Sequence, residues 1–486
     1  MHSGGGWVCV GGVGGMPSVR WHEARVVTAG VGLLLGVAVL PGAATADTLE
    51  WAIVQAYQNN PQINSQRAAV RATDEGVPQA LSGYRPRFSL SGSAGEQYLD
   101  VYSKTGSTPP YSSSYGASGI TSYGFTGTQT LLNGFQTANR TRQAESLVSA
   151  ARETLRLTEH TVLLSAVTAY MKLIRDAAIL DLQRRNVEVL AEQLRQTRDR
   201  FNVGEVTRTD VAQAESRLAG GRATMLSAES SYVTSRSAYR QIIGVEAGKL
   251  APATPVDRLS PRALPQAVDT ARARHPSVTV AMFNVDAATL QVKIAEGALY
   301  PTLSLQANAQ QTNGSSGSLA TLQSSVATIT GQLSVPLYQG GAEYSTIRQA
   351  KETLGQRRLD LDTAREQAQQ IVVQSWGQLE AAKAQIQATE AQVAAAEIAL
   401  NGVREEARVG QRTTLDVLNA QQELVTARVA LVTAQHDRVV ASFTLLASVG
   451  RLTIPVLGLK VPAYDPMVHY QQVRDSWIGV RTPDGK

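Results

Sequence analysis

Two regions of the chain alternate apolar and polar residues, which is the pattern of β-strands with one apolar and one polar face. In the first region, Phe88 and Leu90 alternate with serines. In the second, residues 303–310 alternate Leu or Ala with Ser, Gln or Asn, and residues 329–335 repeat the pattern on the return. Each region therefore predicts a pair of strands.

The segments that join these strands, at 104–116 and 312–323, are rich in Ser and Gly, as hairpin loops are. We predict two β-hairpins, one at 87–131 and one at 301–336. Their strands exceed the ~9–11 residues that cross an outer membrane.

The polar faces of these strands carry Ser, Thr, Gln and Asn rather than Lys and Glu. Two interpretations stay open: a sandwich with its apolar residues inside, or a barrel wall with apolar residues toward lipid and polar residues toward a lumen. One chain supplies only four predicted strands, whereas the smallest membrane barrels need about eight. The barrel interpretation therefore requires oligomerisation, with two chains giving eight strands or three giving twelve.

Very long helical regions follow the predicted β-hairpins. Residues 135–203 form a run of 69 residues without Gly or Pro, which would span roughly 100 Å as a helix. Residues 337–454 contain no Pro. We predict helical hairpins at 134–244 and 340–450, and helices of this length need lateral partners of the coiled-coil type.

The chain carries an internal duplication. Pro61 corresponds to Pro276 at an offset of 215 positions, and a second proline pair after the opening helices has the same offset. Beyond the β-hairpins the offset is 206, as between Asp210 and Asp416, so the first half holds nine extra residues. Constant offsets over such distances indicate two copies of one unit.

We predict that each unit consists of one short opening helix (about 48–82 and 263–298), a β-hairpin and a helical hairpin. The predicted organisation is a signal peptide at 1–46, a first repeat with a closing connector at 47–262, a second repeat at 263–450 and a C-terminal tail at 451–486.

The first residues carry a targeting pattern. Arg20 and Arg25 precede an apolar run at 26–40, and small residues follow as far as Ala46. This arrangement predicts a secretory signal peptide that is cleaved after Ala46. No later apolar stretch approaches the ~20 residues of a spanning helix, so a membrane-crossing mature chain must form a closed β-barrel.

Composition excludes several functions. The formal charge is only +5 and no Lys/Arg run occurs, so we expect no nucleic-acid partner. The only cysteine, Cys9, precedes the predicted cleavage site, which excludes thiol catalysis, disulfides and an N-terminal lipid anchor. His160, His275 and His436 lack metal-ligand spacing and are predicted at a surface or interface. We predict no catalytic residue, cofactor or metal site.

Several motifs make the sequence resemble the TolC-type outer-membrane efflux proteins over nearly all of the mature chain. These motifs are Tyr84-Arg85-Pro86, Leu299-Tyr300-Pro301, Val203-Gly204 with Asp210-Val211, Val409-Gly410 with Asp416-Val417, and Gln421 three positions after Leu418. The tail from Pro462 to Trp477 is similar to that of the branch that serves type I protein secretion.

The resemblance implies an α+β membrane protein with internal duplication. Its implied assembly is a homotrimer whose twelve strands, four per chain, close one β-barrel in outer-membrane lipid. A long α-helical coiled-coil tunnel would continue the barrel into the periplasm, where the C-terminal tail at 451–486 would also lie. The implied partners are a periplasmic adaptor (membrane fusion) protein and an inner-membrane transporter, either of the ABC type or proton-driven.

The resemblance also implies a gate at the periplasmic end. The matching positions are Thr209, Asp210, Arg412, Asp416 and Asn419. An Arg can bridge a carboxylate reversibly, and Asp416 repeated three times would form a ring of negative charge. Asn419 stands where the best-known family member has a second aspartate, and Ala407 where it has a latch tyrosine. The alternative is a local pair of Arg412 with Asp416, one helical turn apart.

Val203-Gly204 and Val409-Gly410 match the tip motif that meets the adaptor in this family. The alternative is that they are ordinary turns in which Gly supplies a positive φ; both interpretations can hold together.

Three hypotheses of function follow. The first is a passive exit duct for proteins in a type I secretion system, and the second is the same channel used for drug or metal efflux with a proton-driven pump. The third, from a different class, is a periplasmic coiled-coil structural protein without a pore. The sequence identifies no exported substrate, because a passive duct recognises little.

Overall fold

The computed structural model describes residues 47–103, 112–314, 323–483 and 485. The predicted signal peptide and its cleavage site lie outside the described residues, as do parts of both hairpin links. The elements, in chain order, are α1 (Leu49–Asn59), α2 (Pro61–Asp74), α3 (Gly76–Leu81), β1 (Arg87–Ser103), β2 (Ser112–Asn133), α4 (Gln136–Asn202), α5 (Arg208–Ile243), α6 (Leu264–Arg274), α7 (Pro276–Gly297), β3 (Thr302–Asn313), β4 (Gln323–Ser334), α8 (Ala342–Arg408), α9 (Thr414–Ser448) and α10 (Pro466–Val473). The order of helices, β-hairpin and long helical hairpin occurs twice, as the duplication predicts.

Each repeat opens with a broken helix, so the single helix predicted for 48–82 and for 263–298 is wrong. Asn60 leaves the helical conformation with φ −65° and ψ 124°, and its side chain caps the helix that follows. Pro61 then begins α2, where its missing N–H has no cost because the first helical N–H groups lack intrahelical partners. Pro276 begins α7 in the same way.

The four strands form one antiparallel sheet in the order β1-β2-β3-β4. The two β-hairpins are therefore joined side by side, and β2 pairs with β3 across the repeats, with Tyr123 opposite Gln311. β2 already begins at Ser112, so part of the link predicted for 104–116 is strand.

The sheet has one mainly apolar face and one mainly polar face, as the alternation predicts. Val326 breaks the pattern by lying on the polar face of β4. The register places these residues on the apolar face: Phe88, Leu90, Tyr123, Phe125, Leu303, Leu305, Ala307, Ile329 and Leu333. On the polar face, the hydroxyls of Ser93 and Ser122 lie 2.7 Å apart and that of Thr126 donates to Asn308. Most apolar-face side chains are exposed in the single chain; Leu90 is 82% and Ile329 is 77% exposed.

The helical hairpins agree with the predicted 134–244 and 340–450. α4 and α8 each have 67 residues, about 100 Å, whereas α5 and α9 have 36 and 35 and cover only about half that length. α7 packs against both α4 and α8 and covers part of the remainder. Within the described part of the chain, no helix is long and apolar enough to cross a membrane.

The apolar interior is divided among separate clusters along the helices. The largest joins α1, α4, α5 and α9 around Tyr170, Tyr239 and Phe443. A small cluster lies near the turns of the helical hairpins, far along α4 and α5 from the sheet, and includes Leu194 and Leu418. This last cluster positions the candidate functional site.

Candidate functional site

The candidate site consists of the ends of the two helical hairpins, the first tip (residues 198–218) and the second tip (residues 404–424). Gly204 turns the chain in the first tip with a φ of +82°, and Gly410 does so in the second with a φ of +79°. Glycine adopts positive φ without the steric strain of a Cβ atom. The interpretation of these motifs as hairpin turns is confirmed.

Both tips restart the chain with the same capping box. In the first, the Asp210 N–H donates to the Thr207 hydroxyl at 3.3 Å and the Thr207 N–H donates to the Asp210 carboxylate at 2.8 Å. The corresponding distances for Asp416 and Thr413 are 3.2 and 2.9 Å. Two of the N–H groups that a helix start leaves unpaired are thereby satisfied.

These hydrogen bonds change the chemistry of the two predicted gate carboxylates. Bonds from the Thr207 hydroxyl and backbone hold the pKa of Asp210 below its usual value. Bonds from the Thr413 backbone and hydroxyl do the same for the pKa of Asp416. Both carboxylates stay charged at neutral pH while one oxygen of each is engaged within its own tip.

The tips differ in how they hold a matching arginine. Arg198 bonds the Glu215 carboxylate across α4 and α5 at 2.5 Å. The equivalent Arg404, 206 positions later, bonds the neutral amide of Gln421 at 3.0 Å. The first tip therefore closes with an ion pair where the second closes with an arginine on a neutral amide.

Arg412 forms an ion pair within its own tip, but its partner is not Asp416, the residue of the predicted local pair. Its Nε donates to the Glu406 carboxylate at 2.8 Å, across the turn. Glu406 is also the main cause that raises the pKa of Arg412, and Asp416 adds a smaller attraction. The alternative of a helical-turn ion pair between Arg412 and Asp416 is therefore wrong, although the two charges lie close enough to attract.

The second tip inserts a side chain into the first. Leu418 is only 2% exposed and belongs to the cluster formed by the first hairpin. Its neighbours there are Leu190, Leu194, Ala214 and Leu218. The equivalent residue of the first tip is Ala212, which is exposed, so the apolar contact runs in one direction.

A polar contact lies beside this apolar one. Asn419 accepts a hydrogen bond from the Arg217 guanidinium on α5 at 2.6 Å. Asn419, predicted as an aperture position, thus ties the second tip to the first. Sequence reasoning missed Arg217 and Leu418 as tip contacts. The contrast between Leu418 and Ala212 at the repeat offset was the available signal for Leu418, and nothing marked Arg217.

The structure distributes the remaining predicted residues over the surface of the tips. Thr209 is exposed on the first turn of α5. Asp210 and Arg412 each bond residues of their own tip. Among the described residues of one chain, they form no hydrogen bond or ion pair with each other. Val203 and Val409 are 73% and 71% exposed.

A solvent-open groove of about 540 Å³ separates the two tips on one side. Its polar and charged walls include Thr197, Arg200, Glu205, Arg404, Arg408 and Thr414, and Ala407 and Val417 add apolar surface. Charged and polar walls keep their water when they part, whereas apolar walls resist separation. Leu418, which is 2% exposed, therefore resists separation of the two tips more than the charged groups of the groove do.

The histidines and the acidic residues hold no candidate metal site in residues 47–103, 112–314 and 323–483. His160, His275 and His436 are 3%, 8% and 8% exposed, so the predicted surface position is wrong. They are buried where helices pack, and burial lowers the pKa of His160 to about 4, which keeps its ring neutral.

A family model described as "Outer membrane efflux protein" matches residues 52–245 and 267–451, which are the two repeats. The chain is 42% identical over 472 residues to the outer membrane efflux protein BepC of Brucella suis, covering 96% of this chain and 99% of that protein. It is 25% identical over 312 residues to the alkaline protease secretion protein AprF of Pseudomonas aeruginosa, covering 63% and 65%.

The fold is similar to that of a solved outer-membrane channel. The crystal structure of the Campylobacter jejuni CmeC outer membrane channel matches with a TM-score of 0.73 at 16% identity, covering 88% of this chain and 89% of that one. The predicted fold class, four strands per chain continued by long helical hairpins, is confirmed.

Proposed function

This chain belongs to the outer membrane efflux protein family, and from that premise we propose that three copies form a passive exit duct. It is an outer-membrane channel protein. In the proposed assembly, twelve strands close a barrel in the outer membrane and the helical hairpins enclose a tunnel that extends into the periplasm. The duct supplies no energy, which an inner-membrane transporter provides through a periplasmic adaptor.

The observation that carries this proposal is the sheet. Its apolar face is exposed along its length in one chain, while the other face carries hydroxyl and amide groups. β1 and β4 are the outer strands, so each presents one edge that no described strand pairs. The unpaired N–H and C=O groups of a strand edge are too costly to leave in lipid, so a membrane sheet must close into a barrel that pairs them. We take three copies rather than two because of the family resemblance.

The tips are the proposed gate of the duct. We assign to it the predicted residues Thr209, Asp210, Arg412, Asp416 and Asn419, and we add Arg217 and Leu418. Asp210 and Arg412 are half satisfied within one chain, which leaves a carboxylate oxygen and guanidinium N–H groups to reach a neighbouring chain. Asn419 carries no charge, so of the predicted aperture positions 416 and 419 only Asp416 would contribute to a ring of negative charge.

The turns of the tips are the proposed contact with the adaptor. Val203 and Val409 are exposed apolar side chains at the ends of the longest arms of the molecule. Gly204 and Gly410 carry no side chain, and nothing lies within 4 Å of the position a Cβ would take. A bare turn of this kind leaves room for a partner's backbone to approach closely.

Two classes of cargo are supported by different relatives. The name of BepC, which is similar over almost the entire chain, supports efflux, while the name of AprF and the resemblance of the tail support protein secretion. Deleting the gene in its own bacterium separates them. Efflux predicts higher accumulation of a fluorescent dye with unchanged secreted proteins; secretion predicts loss of a secreted protein.

The duct itself is tested with the purified mature chain in planar lipid bilayers. We expect a mass of three chains in detergent and discrete channel openings after reconstitution. Replacing Asp210 and Arg412 by alanine should increase the conductance if they close the tips, while Arg236→Ala, on α5 away from the tips, should not. Correctly folded protein that produces no openings, with or without the replacements, would support the poreless coiled-coil hypothesis.

A further inference from the structure

The C-terminal tail is fixed to the first repeat by arginines that lie over aromatic rings. The Arg67 guanidinium lies between the rings of Tyr57 and Tyr464, 4.6 and 5.1 Å from their centres. The Arg152 guanidinium lies 5.0 Å from the Tyr470 ring. Cation–π contacts of this kind, repeated along the tail, give it a defined path rather than a free end.

The helix α10 in the middle of the tail is held by a buried charge cluster. The Asp74 carboxylate is fully buried, accepts a hydrogen bond from the His469 ring at 3.0 Å and lies 3.7 Å from the Arg152 guanidinium. Burial raises the pKa of Asp74. Of these three residues only His469 belongs to α10, and undocking the helix would take one partner from a buried carboxylate, which is costly.

Beyond α10 the tail reaches the residues that lead into the sheet. Arg85 donates a hydrogen bond to the Ser476 carbonyl at 2.6 Å, and its guanidinium lies 4.6 Å from the centre of the Trp477 ring. Arg85 precedes β1 by two residues. At ~3.3 Å per residue, the Arg85 backbone lies within about 10 Å of Phe88, the first residue of the apolar face, and Trp477 packs on the Arg85 side chain at this end of the sheet.

The end of the tail exposes apolar side chains at this level. Trp477 is 67% exposed, Ile478 is 94% exposed and Val480 is fully exposed. The polar layer on each side of a bilayer is about 5–8 Å thick, so side chains beside the entry to a membrane-crossing strand lie in this layer or next to it. Tryptophan favours this layer because its ring is apolar and its N–H is a hydrogen-bond donor.

We propose that Trp477, Ile478 and Val480 insert into the periplasmic leaflet of the outer membrane and anchor the barrel there. The partner is the phospholipid surface, because the patch is held on Arg85 at the entry to β1 and carries the residue type of membrane interfaces. The inference rests on the proposed barrel and adds a lipid contact outside it. The arginine contacts set the depth of the anchor.

Tryptophan fluorescence in vesicles of phosphatidylcholine brominated near the headgroup tests the anchor. The predicted mature chain has three tryptophans, Trp51, Trp376 and Trp477. Three variants each keep one of them and replace the others by phenylalanine. We expect brominated lipid to reduce Trp477 emission about twofold or more and to leave Trp376 unchanged, because Trp376 lies about 50 Å along α8 from its barrel end.

The outcomes distinguish lipid from a neighbouring chain as the partner of Trp477, Ile478 and Val480. Adding Ile478→Ser and Val480→Ser to the Trp477-only variant should weaken the quenching. Trimers that conduct ions while Trp477 is quenched no more than Trp376 would overturn the anchor and leave the duct intact. Unquenched but blue-shifted Trp477 emission would assign the patch to a neighbouring chain. Protein that neither conducts nor associates with the vesicles would overturn both proposals.

Discussion

The two tips of the helical hairpins share a backbone and differ in their side-chain contacts. Gly204 and Gly410 turn the chain at φ values three degrees apart, +82° and +79°, and both tips restart with a Thr-x-x-Asp capping box. The first tip then closes with its own ion pair, Arg198 with Glu215. The second has a neutral partner at that place and inserts Leu418 into the first.

The contacts of the tips therefore fall into two groups: those that each tip needs in order to fold, and those that hold the two tips together. The shared turn and capping box are local and need no neighbour. The contacts of Leu418 and Asn419 with the first hairpin are specific to the second tip and would break if the hairpins separated. A separation of the two hairpins would therefore break the contacts of Leu418 and Asn419 and leave the turns and caps of both tips intact.

The largest expected effect is that of Leu418→Ala. Removing a buried leucine costs about 2–4 kcal/mol, which lowers hydrogen-exchange protection roughly 30- to 1,000-fold at the amides around the cluster. Exchange of both tips is measured by mass spectrometry on the trimer. The matched control is Ala212→Ser at the exposed equivalent position, with an expected change within about 0.5 kcal/mol. Equal losses of protection in the two variants would contradict the one-sided apolar contact of Leu418.

A smaller and symmetric effect is expected from Thr207→Ala and Thr413→Ala. Each removes an N-cap side chain, which costs about 1 kcal/mol of local stability, or roughly fivefold in exchange of the first turn of α5 or α9. The exposed Thr209 provides the control as Thr209→Ala. The idea of a shared scaffold fails if one cap matters at least tenfold more than the other.

Converting the second tip toward the first should have a still smaller effect. Gln421→Glu places a carboxylate beside Arg404, as Glu215 lies beside Arg198. Gln421 is only 7% exposed, so Gln421→Glu alone should also cost stability by desolvating the new carboxylate. A double-mutant cycle with Arg404→Gln separates this cost from the pair itself and should give a favourable coupling of about 0.3–1 kcal/mol. Thermal unfolding of the trimer measures it. A coupling of zero or of opposite sign would show that the two arginines are not equivalent.

The smallest expected effect is that of pH in the neutral range. The folded-state pKa values of Asp210 and Asp416 are lowered, so their stabilisation is complete above the unfolded value of about 3.9 and is lost as pH falls through the folded values. Exchange protection of both tips, corrected for the intrinsic rate, should be constant from pH 8 to 5 and fall together below about pH 4. Asp210→Asn should abolish the acid step in the first tip alone. A step near pH 6 would require another titrating group.

Periodicity was sufficient to predict most of the architecture. Alternation around Phe88 and Leu90 marks strands because one face meets a different solvent from the other. A run of 69 residues without Gly or Pro marks a very long helix because nothing in it breaks the hydrogen-bond ladder. The breaks at Pro61 and Pro276 were missed because helix-forming residues continue on both sides and only the local cap ends the first helix.

The site was predictable only where its cause is local. Gly204 and Gly410 stand out because a turn between two helices needs a positive φ. Asp210 and Asp416 were recognised by motif, and the Thr-x-x-Asp spacing could also have revealed their capping role. Arg217 meets Asn419 across 202 positions of sequence, and no periodicity encodes which faces of two hairpins meet.

The most direct test of a gate at the tips is the single-channel conductance of the reconstituted trimer with and without the contacts between the tips. Arg217→Ala combined with Leu418→Ala removes both contacts, and Ala212→Ser serves as the matched control. We expect small openings for the wild type and the control, and a conductance several times larger for the double variant. Folded trimers that do not conduct, or a double variant whose conductance equals that of the wild type, would contradict a channel closed by the contact of its two tips.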